Sequence, residues 1–220
     1  MIVIIPARLG SKRIKKKNIK IFNGKPIMYW VIKELKKNNY VKKIVVTSDD
    51  THILALAKKF GADYLIKRSK KLSGDKMPFQ EAIKNAIHCL NIKREKVLVV
   101  FPCAVFLKNK YIFKALNALS KNPQKFIISV GKFNHPIQRA YKIVRGKLKY
   151  FYKKFELYRT QDLTDSYFDA GQFYLGYSNL WINKNVHSNS IGLALPKERI
   201  VDIDNLEDWK FAEKLSKFIK

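Results

Sequence analysis

Two hydrophobic patterns alternate along the first 130 residues of the chain. Short runs of apolar, mostly β-branched residues are typical of buried strands, whereas apolar residues that recur every three or four positions are typical of helices packed on a sheet. The runs predict strands over 2–5, 43–47, 63–66, 96–101 and 126–130, and the helical spacing predicts helices over 27–35, 51–60, 78–90 and 110–120. This alternation predicts an α/β fold of the doubly wound, Rossmann-like type, with a mostly parallel sheet and helices on both faces.

The pattern changes after residue 130, where the strand signals become shorter and less regular. A turn at 145–147 predicts a hairpin over 141–152, and an aromatic, polar and irregular segment follows it to residue 164. The remaining patterns predict strands over 170–177, 191–195 and 199–203, a short helix over 178–183 and a closing helix over 205–219. Because no repeat or linker interrupts the chain, we expect a single domain over 1–220, with a β-rich flap inserted at 132–165.

Length and composition allow a full hydrophobic core and exclude several classes of protein. The chain has 220 residues, of which 47% are hydrophobic, and this composition excludes intrinsic disorder. The apolar runs fall far short of the ~20 residues that span a bilayer. The two cysteines are not a disulfide framework. We therefore expect a cytoplasmic protein with no membrane partner.

The charge is strongly positive, with 45 Lys and Arg against 17 Asp and Glu and a net charge of +28. A basic surface could bind nucleic acid or anionic lipid. The alternative is the codon bias of an AT-rich genome, which enriches Lys, Ile, Asn, Phe and Tyr together. The lysines are scattered along the chain, and no RNA-recognition, zinc-finger or recognition-helix signature accompanies them. The pattern favours the compositional explanation, and nucleic acid is kept as a remote alternative partner.

The first predicted strand runs into a loop that is rich in Lys and Arg. Pro6 ends the apolar run, and cations and small residues follow as far as Asn18. Ligands of open α/β sheets bind beyond the carboxyl ends of the strands, so the loop is placed to hold an anion. It lacks the P-loop and dinucleotide-binding glycine motifs. We therefore predict a phosphate cradle, with a solvated basic loop as the alternative; its members are Arg8, Gly10, Ser11, Lys12 and Lys17.

A pair of carboxylates stands out near the end of this acid-poor chain. Asp202 and Asp204 are two positions apart, so an extended segment places both on one face while Val201 and Ile203 point to the core. Mg²⁺ is typically held by one or two carboxylates together with substrate phosphates. The pair therefore predicts a Mg²⁺ site, and the alternative is that Asp204 only caps the last helix.

The basic loop and the acidic pair together predict phosphoryl-type transfer, in which cations hold a triphosphate, Mg²⁺ bridges it and a nucleophile attacks in line. Three segments then resemble motifs of the sugar cytidylyltransferases that activate sialic acid-like, nine-carbon acids. They are Ala-Arg-x-Gly-Ser-Lys-(x)4-Lys-Asn at 7–18, Arg-Ser-Lys-Lys-Leu-(x)2-Asp at 68–75 and Asp-Ile-Asp-(x)3-Asp-Trp at 202–209. Segments 135–140, 159–163 and the Asp-Ala-Gly-Gln-Phe-Tyr of 169–174 are similar to the branch that uses pseudaminic acid.

This resemblance implies a fold of the nucleotide-diphospho-sugar transferase type and a specific reaction. CMP would pass from CTP to the anomeric hydroxyl of a nonulosonic acid, with release of pyrophosphate and without a covalent enzyme intermediate. Pseudaminic acid is the favoured substrate, and legionaminic acid, N-acetylneuraminic acid and Kdo are alternatives. The resemblance also implies a Mg²⁺ cofactor and a homodimer in which the flap crosses to the partner subunit.

The resemblance also implies roles for individual residues. The catalytic residues would be Arg8, Lys17, Asp202 and Asp204, of which the two aspartates would be the metal ligands. The nucleotide-binding residues would be Arg8, Gly10, Ser11, Lys12, Lys17, Asn18, Arg68 and Asp75. The sugar-binding residues would be Gln138, Arg139, Arg159, Gln161, Asp169, Gln172 and Tyr174. Pro78 and Phe79 stand where relatives usually have a small hydroxyl residue near the nucleotide.

Overall fold

The computed structural model describes residues 1–219, which form alternating strands and helices. The strands are Ile2–Pro6 (β1), Ile21–Phe22 (β2), Lys25–Pro26 (β3), Lys43–Ser48 (β4), Tyr64–Lys67 (β5), Lys96–Val100 (β6), Phe126–Lys132 (β7), Tyr141–Val144 (β8), Lys147–Tyr150 (β9), Tyr167–Tyr177 (β10) and Ser190–Ala194 (β11). The helices are Ile27–Lys36 (α1), Thr51–Phe60 (α2), Phe79–Cys89 (α3), Asn109–Lys121 (α4), Ser178–Asn183 (α5) and Leu206–Leu215 (α6). None of the helices in residues 1–219 is long and apolar enough to cross a membrane.

The main sheet of the described residues has seven strands in the order β11-β7-β10-β6-β1-β4-β5. β1 pairs in parallel with β4 and β6, β4 with β5, and β7 with β11. β10 lies antiparallel between β6 and β7. The mostly parallel sheet is therefore confirmed, and the carboxyl ends of β1, β4 and β6 meet at one edge, where ligands of such sheets bind.

Helices cover both faces of this sheet, as the sequence predicts. Within β1, Val3 and Ile5 pack in the cluster that includes α1, α2 and α4, whereas Ile4 packs in the cluster that includes α3 and α5. β4 and β6 show the same alternation. Because successive side chains of a strand point to opposite faces, a continuous apolar run is what a strand covered on both sides requires. The α/β, doubly wound fold is confirmed.

The segment 133–166 leaves the sheet after β7 and returns at β10. Phe133 N donates to Ser166 O over 2.9 Å at its base, and the β8–β9 hairpin extends from it. Arg145 and Gly146 at the hairpin turn have φ of 51° and 75°. Two successive positive φ angles define the tight turn whose twist matches that of paired strands. The predicted hairpin is confirmed.

Two sequence predictions near the end of the chain are wrong. The predicted strand over 199–203 is absent from the sheets of the described residues, because Arg199 ends a 3-10 turn and Ile203 packs beside Trp209 of α6. Its alternating pattern thus reflects contact with a helix and not strand pairing. The closing helix ends at Leu215 and not at residue 219, and turns follow it in which Phe218 is exposed.

Candidate active site

A cavity of about 690 Å³ lies beyond the carboxyl ends of β1 and β6. The basic loop that follows β1 forms one side of it, and the segment 68–79 forms another. The start of β10 and the extended segment before α6 close the remaining sides. Four stretches that are far apart in the sequence therefore meet at the edge of the sheet that the topology marks as a ligand site.

The basic loop is anchored at two buried residues, so its cations are held at the cavity. Ile14 is buried in the cluster that contains Ile203 and Trp209. Asn18 is also buried, and its Nδ2 donates to Arg8 O over 2.8 Å, which ties the end of the loop to its beginning. The loop residues that line the cavity are Arg8, Ser11, Lys12, Arg13, Ile14, Lys17 and Asn18.

Asp75 connects the basic loop to the segment after β5. Its carboxylate lies 2.8 Å from Arg8 Nη1 and 2.6 Å from Lys12 Nζ. The hydrogen bond from Lys12 and the charge of Arg8 hold the pKa of Asp75 below its ordinary value, so Asp75 is ionised at neutral pH. Asp75 thus links the two segments through ion pairs with two cations of the basic loop.

Arg68 is a cation in the floor of the cavity. Its side chain is buried, Nη1 donates to Thr47 O over 2.6 Å, and Nε donates to Ser73 Oγ over 2.8 Å. Burial lowers the pKa of Arg68, and the charge of Asp49 opposes that change. The guanidinium remains charged because its ordinary pKa lies far above neutral pH. It is thus a fixed positive group with donors held by β4 and by the 3-10 turn Lys70–Ser73.

The acidic pair lies beside Arg13 and Lys17 of the basic loop. Asn205 and not Asp204 caps α6, since the Asn205 side chain accepts from the backbone N–H of Glu207 and of Asp208. This leaves Asp204 available, and Arg13 Nη1 lies 2.8 Å from its Oδ2. The helix-cap alternative for Asp204 is therefore wrong, and both Asp202 and Asp204 line the cavity.

Lys17 reaches the same segment from the basic loop. Its Nζ donates to Ile203 O over 2.7 Å and lies 3.6 Å from Asp204 Oδ1. Partial desolvation within the cavity and the charge of Asp204 raise the pKa of Asp202, and the charges of Lys17 and Arg13 oppose the rise. Close carboxylates have this effect on one another because each disfavours the second negative charge.

The donor set fits a Mg²⁺ ion that is shared with a phosphate ligand. Asp202 and Asp204 present carboxylate oxygens to one cavity, while Ile203 between them is buried. No group of three or more His, Cys, Asp or Glu side chains suited to a metal occurs in residues 1–219. Mg²⁺ usually takes one or two carboxylates and completes its shell with water and substrate phosphates. Two carboxylates beside a basic loop match that requirement.

The start of β10 forms another side of the cavity. The register of β10 shifts between Asp169 and Tyr174, and Gly171 in between has a φ of 61°, which a residue with a Cβ rarely adopts. Tyr174 donates a hydrogen bond to Asp169, and both residues line the cavity. Burial and this hydrogen bond raise the pKa of Tyr174, so it remains a protonated donor at neutral pH.

An aromatic surface completes this side. The ring of Phe79 lies 5.0 Å from Tyr174 and 5.3 Å from Phe101 between centroids, and Phe79 and Phe101 line the cavity. Phe79 thus adds apolar surface beside Tyr174, which a small hydroxyl residue at this position could not supply. The cavity is polar toward the basic loop and partly apolar toward Phe79.

The structure brings most of the predicted residues together, but not all of them. Gly10 lies outside the cavity lining, and nothing lies within 4 Å of a Cβ built on it. Gln172 is buried away from the cavity and donates to Arg199 O. Four predicted sugar-binding residues belong to segment 133–166 and do not line the cavity of this chain: Gln138, Arg139, Arg159 and Gln161.

The flap residues contact one another within their own segment. Gln138 Nε2 donates to Thr164 O over 2.9 Å, and Arg159 pairs with Asp162 at 2.8 Å. Their motifs therefore have a local structural explanation besides the predicted sugar contact.

The sequence analysis did not select several residues that line the cavity. Arg13 and Phe101 are two of them, whereas Phe79, which the resemblance placed near the nucleotide, lines the cavity together with Cys103. Arg13 could have been found from its position between Lys12 and Lys17 in the predicted cradle. Phe101 ends an apolar run and gives no such signal, because only its place beyond the end of β6 exposes it to the cavity.

Cys103 is expected to resist alkylation although it lines the cavity. Its Sγ donates to Asn18 Oδ1 over 3.6 Å, and burial raises the pKa of the Cys103 thiol to about 12. The thiolate is the nucleophile, so its fraction stays negligible below that pH. With iodoacetamide at pH 8, mass spectrometry should find modification at the exposed Cys89 and little at Cys103 until the protein is unfolded. Equal modification of both cysteines in the folded protein would contradict the burial of Cys103.

Comparison with known proteins agrees with this geometry. The family model described as "Cytidylyltransferase" matches residues 2–178. A pseudaminic acid cytidylyltransferase of Campylobacter jejuni subsp. jejuni serotype O:23/36 (strain 81-176) is 36% identical, over 97% of this chain and 95% of that protein. A pseudaminic acid cytidylyltransferase and UDP-2,4-diacetamido-2,4,6-trideoxy-beta-L-altropyranose hydrolase of Helicobacter pylori (strain ATCC 700392 / 26695) is 28% identical, over 96% of this chain and 42% of that protein.

Solved structures show the same fold at lower identity. A CMP:2-keto-3-deoxy-manno-octonic acid synthetase complexed with CTP superposes with a TM-score of 0.72 at 14% identity, covering 99% of this chain and 98% of that chain. Two findings establish the family of this chain. The family model matches residues 2–178, and the Campylobacter protein is similar over 97% of this chain. The chain belongs to the cytidylyltransferase family.

Proposed function

We propose that this protein transfers CMP from CTP to the anomeric hydroxyl of pseudaminic acid and releases pyrophosphate. The observation that carries the proposal is one cavity that joins the basic loop after β1 to Asp202 and Asp204, in a chain that is 36% identical to a pseudaminic acid cytidylyltransferase. The oxygen of the sugar hydroxyl forms a bond to the α-phosphorus, the bond from that phosphorus to the β-phosphate oxygen breaks, and the hydroxyl proton is released.

The cations of the basic loop would hold the triphosphate. Arg8 and Lys12 already face the carboxylate of Asp75, so a phosphate group of similar charge and hydrogen-bonding capacity suits the same donors. Lys17 lies deeper, with about a quarter of its side chain exposed, beside the acidic pair. A cation there stabilises the negative charge that develops on the leaving pyrophosphate.

Asp202 and Asp204 would hold a Mg²⁺ ion. When bound, Mg²⁺ supplies charge neutralisation and orientation of the phosphates during in-line displacement. Arg68, fixed in the floor of the cavity, would face the cytidine. These assignments follow from the family motifs, and the arrangement of the side chains around one cavity supports them.

The sugar would lie toward β10. Asp169 and Tyr174 provide an acceptor and a protonated donor there, and Phe79 and Phe101 provide apolar surface. A nine-carbon acid with acylamino and deoxy groups needs both kinds of contact. Its carboxylate needs a cation, which Arg139 or Arg159 of segment 133–166 would supply from the partner subunit.

Pyrophosphate release measured with CTP and a panel of acids tests the proposal. We expect the highest kcat/KM with pseudaminic acid, lower values with legionaminic acid and N-acetylneuraminic acid, and the lowest with Kdo. A preference for any of the other three would replace pseudaminic acid as the substrate. No pyrophosphate release with any of the four acids would contradict the proposed reaction itself.

We propose that the protein is a homodimer in which the β8–β9 hairpin contacts a second copy. The cross-strand pairs Tyr141–Tyr150 and Ile143–Leu148 lie on the same face of the hairpin, and Ile143 and Leu148 are 74% and 66% exposed. An isolated two-stranded hairpin is marginally stable in water, so an apolar face of this size needs a cover. A second copy supplies one and would bring Arg139 and Arg159 to its partner's cavity.

Light scattering combined with gel filtration tests the dimer. Replacing both Ile143 and Leu148 with Lys should convert it to a monomer, because four positive charges, two from each subunit, would then lie in the interface. The matched control, Lys142→Gln with Lys149→Gln, changes the opposite face of the same hairpin and should leave the dimer intact. A wild-type protein that is already a monomer at micromolar concentration would contradict the proposal.

We also propose that the protein is cytoplasmic, where CTP is available. Cys89 and Cys103 are free thiols, which a reducing compartment maintains.

A further inference from the structure

One cation of the basic loop, Arg13, forms an ion pair with one of the two carboxylates, Asp204. Arg13 Nη1 lies 2.8 Å from Asp204 Oδ2, while Lys17 Nζ lies 3.6 Å from Asp204 Oδ1. Both oxygens of Asp204 therefore face a positive group. Asp202 differs, because it is exposed and forms no ion pair with any Lys or Arg in the part of the chain that the structure describes. The two carboxylates are chemically unequal.

A divalent cation at Asp204 must compete with Arg13. A carboxylate oxygen that accepts a hydrogen bond from a guanidinium has less electron density and fewer lone pairs to offer a metal. The two positive charges also repel each other when they share one carboxylate. Arg13 therefore weakens the binding of a divalent cation for as long as it remains on Asp204.

The Arg13–Asp204 pair is weak enough to be exchanged. About two thirds of the Arg13 side chain and one third of the Asp204 side chain are exposed, and exposed ion pairs contribute little to stability. A triphosphate offers Arg13 several charged oxygens in a geometry that suits a guanidinium. Arg13 lines the same cavity as Arg8, Ser11 and Lys12, so it can reach a triphosphate bound there by rotation of its own side chain.

We propose that Arg13 is a positioning residue that couples triphosphate binding to divalent-cation binding. Arg13 holds Asp204 until the phosphates of the nucleotide take its guanidinium, and Asp204 then becomes available to the cation. This inference rests on the proposed function, since it requires a triphosphate and a cation in this cavity. Because coupling is reciprocal, the cation also tightens the binding of the nucleotide by the same factor.

Calorimetric titration with Mn²⁺ in the absence of nucleotide tests the first half of the inference. Arg13→Gln should bind Mn²⁺ about five- to tenfold more tightly than wild type, since it loses both the competing hydrogen bond and the repulsive charge. The matched control is Lys15→Gln, which makes the same change of charge two positions along the same loop at an exposed side chain. Lys15→Gln should bind Mn²⁺ within about twofold of wild type, and Arg13→Lys should fall between the two variants.

Titration with CTP, without any sugar, tests the second half. Mg²⁺ should improve CTP binding by a smaller factor in Arg13→Gln than in wild type, because Asp204 is already available in the variant. CTP binding in the presence of EDTA should weaken in Arg13→Gln, because one phosphate partner is lost. A merely structural role for Arg13 would alter both CTP affinities equally and leave their ratio unchanged.

The outcomes separate this inference from the proposed function. If Asp204→Asn weakens Mn²⁺ binding while Arg13→Gln binds Mn²⁺ no more tightly than Lys15→Gln, the coupling role is overturned and the metal site stands. If Asp204→Asn and Asp202→Asn both bind Mn²⁺ as wild type does, the metal site of the proposed function fails, and the inference fails with it. If the wild type does not bind CTP, the proposed function fails irrespective of Arg13.

Discussion

Asp202→Asn should lower the rate of Mg²⁺-dependent pyrophosphate release by about 10³-fold or more at saturating CTP and sugar. A Mg²⁺ ion on a transferring phosphate contributes several kcal/mol of transition-state stabilisation, and each ~1.4 kcal/mol corresponds to a factor of ten. Asp202 is better suited to the test, because replacing Asp204 would also remove its ion pairs with Arg13 and Lys17. Pyrophosphate release should be followed over a range of Mg²⁺ concentrations, since partial recovery at high Mg²⁺ is the signature of a weakened metal site.

The control for Asp202→Asn must replace an acidic residue that lies in the same region but does not line the cavity. Glu207→Gln meets this need, because Glu207 is an exposed residue in the first turn of α6 and does not line the cavity. Its rate should stay within about twofold of wild type. Circular dichroism and thermal unfolding should be unchanged in Asp202→Asn, since Asp202 is exposed. Turnover of Asp202→Asn close to that of wild type would remove Asp202 from the metal site.

Lys17→Met should reduce kcat by about 10²–10³-fold, which is the usual cost of removing one group that stabilises developing charge. Lys17 is the most buried of the cations that pair with Asp75 or Asp204, and its Nζ is fixed at 2.7 Å from Ile203 O. A preorganised cation of this kind acts on the leaving pyrophosphate and less on the bound CTP. We therefore expect the KM for CTP to change much less than kcat.

Two measurements distinguish a catalytic effect of Lys17→Met from a structural effect. Lys15→Met removes an equal charge from the same loop at an exposed position and should leave kcat within about twofold of wild type. The melting temperature of Lys17→Met reports whether losing the bond to Ile203 O loosens the segment before α6. If the KM for CTP rises while kcat stays close to that of wild type, Lys17 would be assigned to ground-state binding of the nucleotide and not to the leaving group.

Most of the fold could be predicted from local patterns. A strand buried on both faces must be apolar at every position, so β1, β4 and β6 are visible in the sequence as short β-branched runs. The failures have specific causes. The segment 199–203 alternates because Val201 and Ile203 pack near α6, and alternation alone cannot tell such packing from strand pairing. The residues of β10 do not indicate that this strand runs antiparallel between β6 and β7.

The sequence predicts those parts of the candidate site whose residues are close to one another in the chain. A run of cations with Ser11 and a pair of acids two positions apart both stand out in the sequence. Phe101 was not selected, because its contribution depends on neighbours that are distant in the chain, whereas Arg13 could have been selected from its place between Lys12 and Lys17. The same limit explains Gln172, whose position in the family motif predicted a sugar contact, although its side chain is buried against Arg199 O.

The amino-acid sequence alone specifies the two halves of the site, a basic loop at the start of the chain and a carboxylate pair near its end. It determined the alternation that sends Asp202 and Asp204 to one side and Ile203 to the other, because that alternation is a property of any extended backbone. That the halves meet is seen only in the folded chain, where Lys17 Nζ donates a hydrogen bond to Ile203 O across 186 positions of the sequence. The reason is that the order of strands in the sheet, which no local pattern encodes, brings the ends of distant segments to one edge.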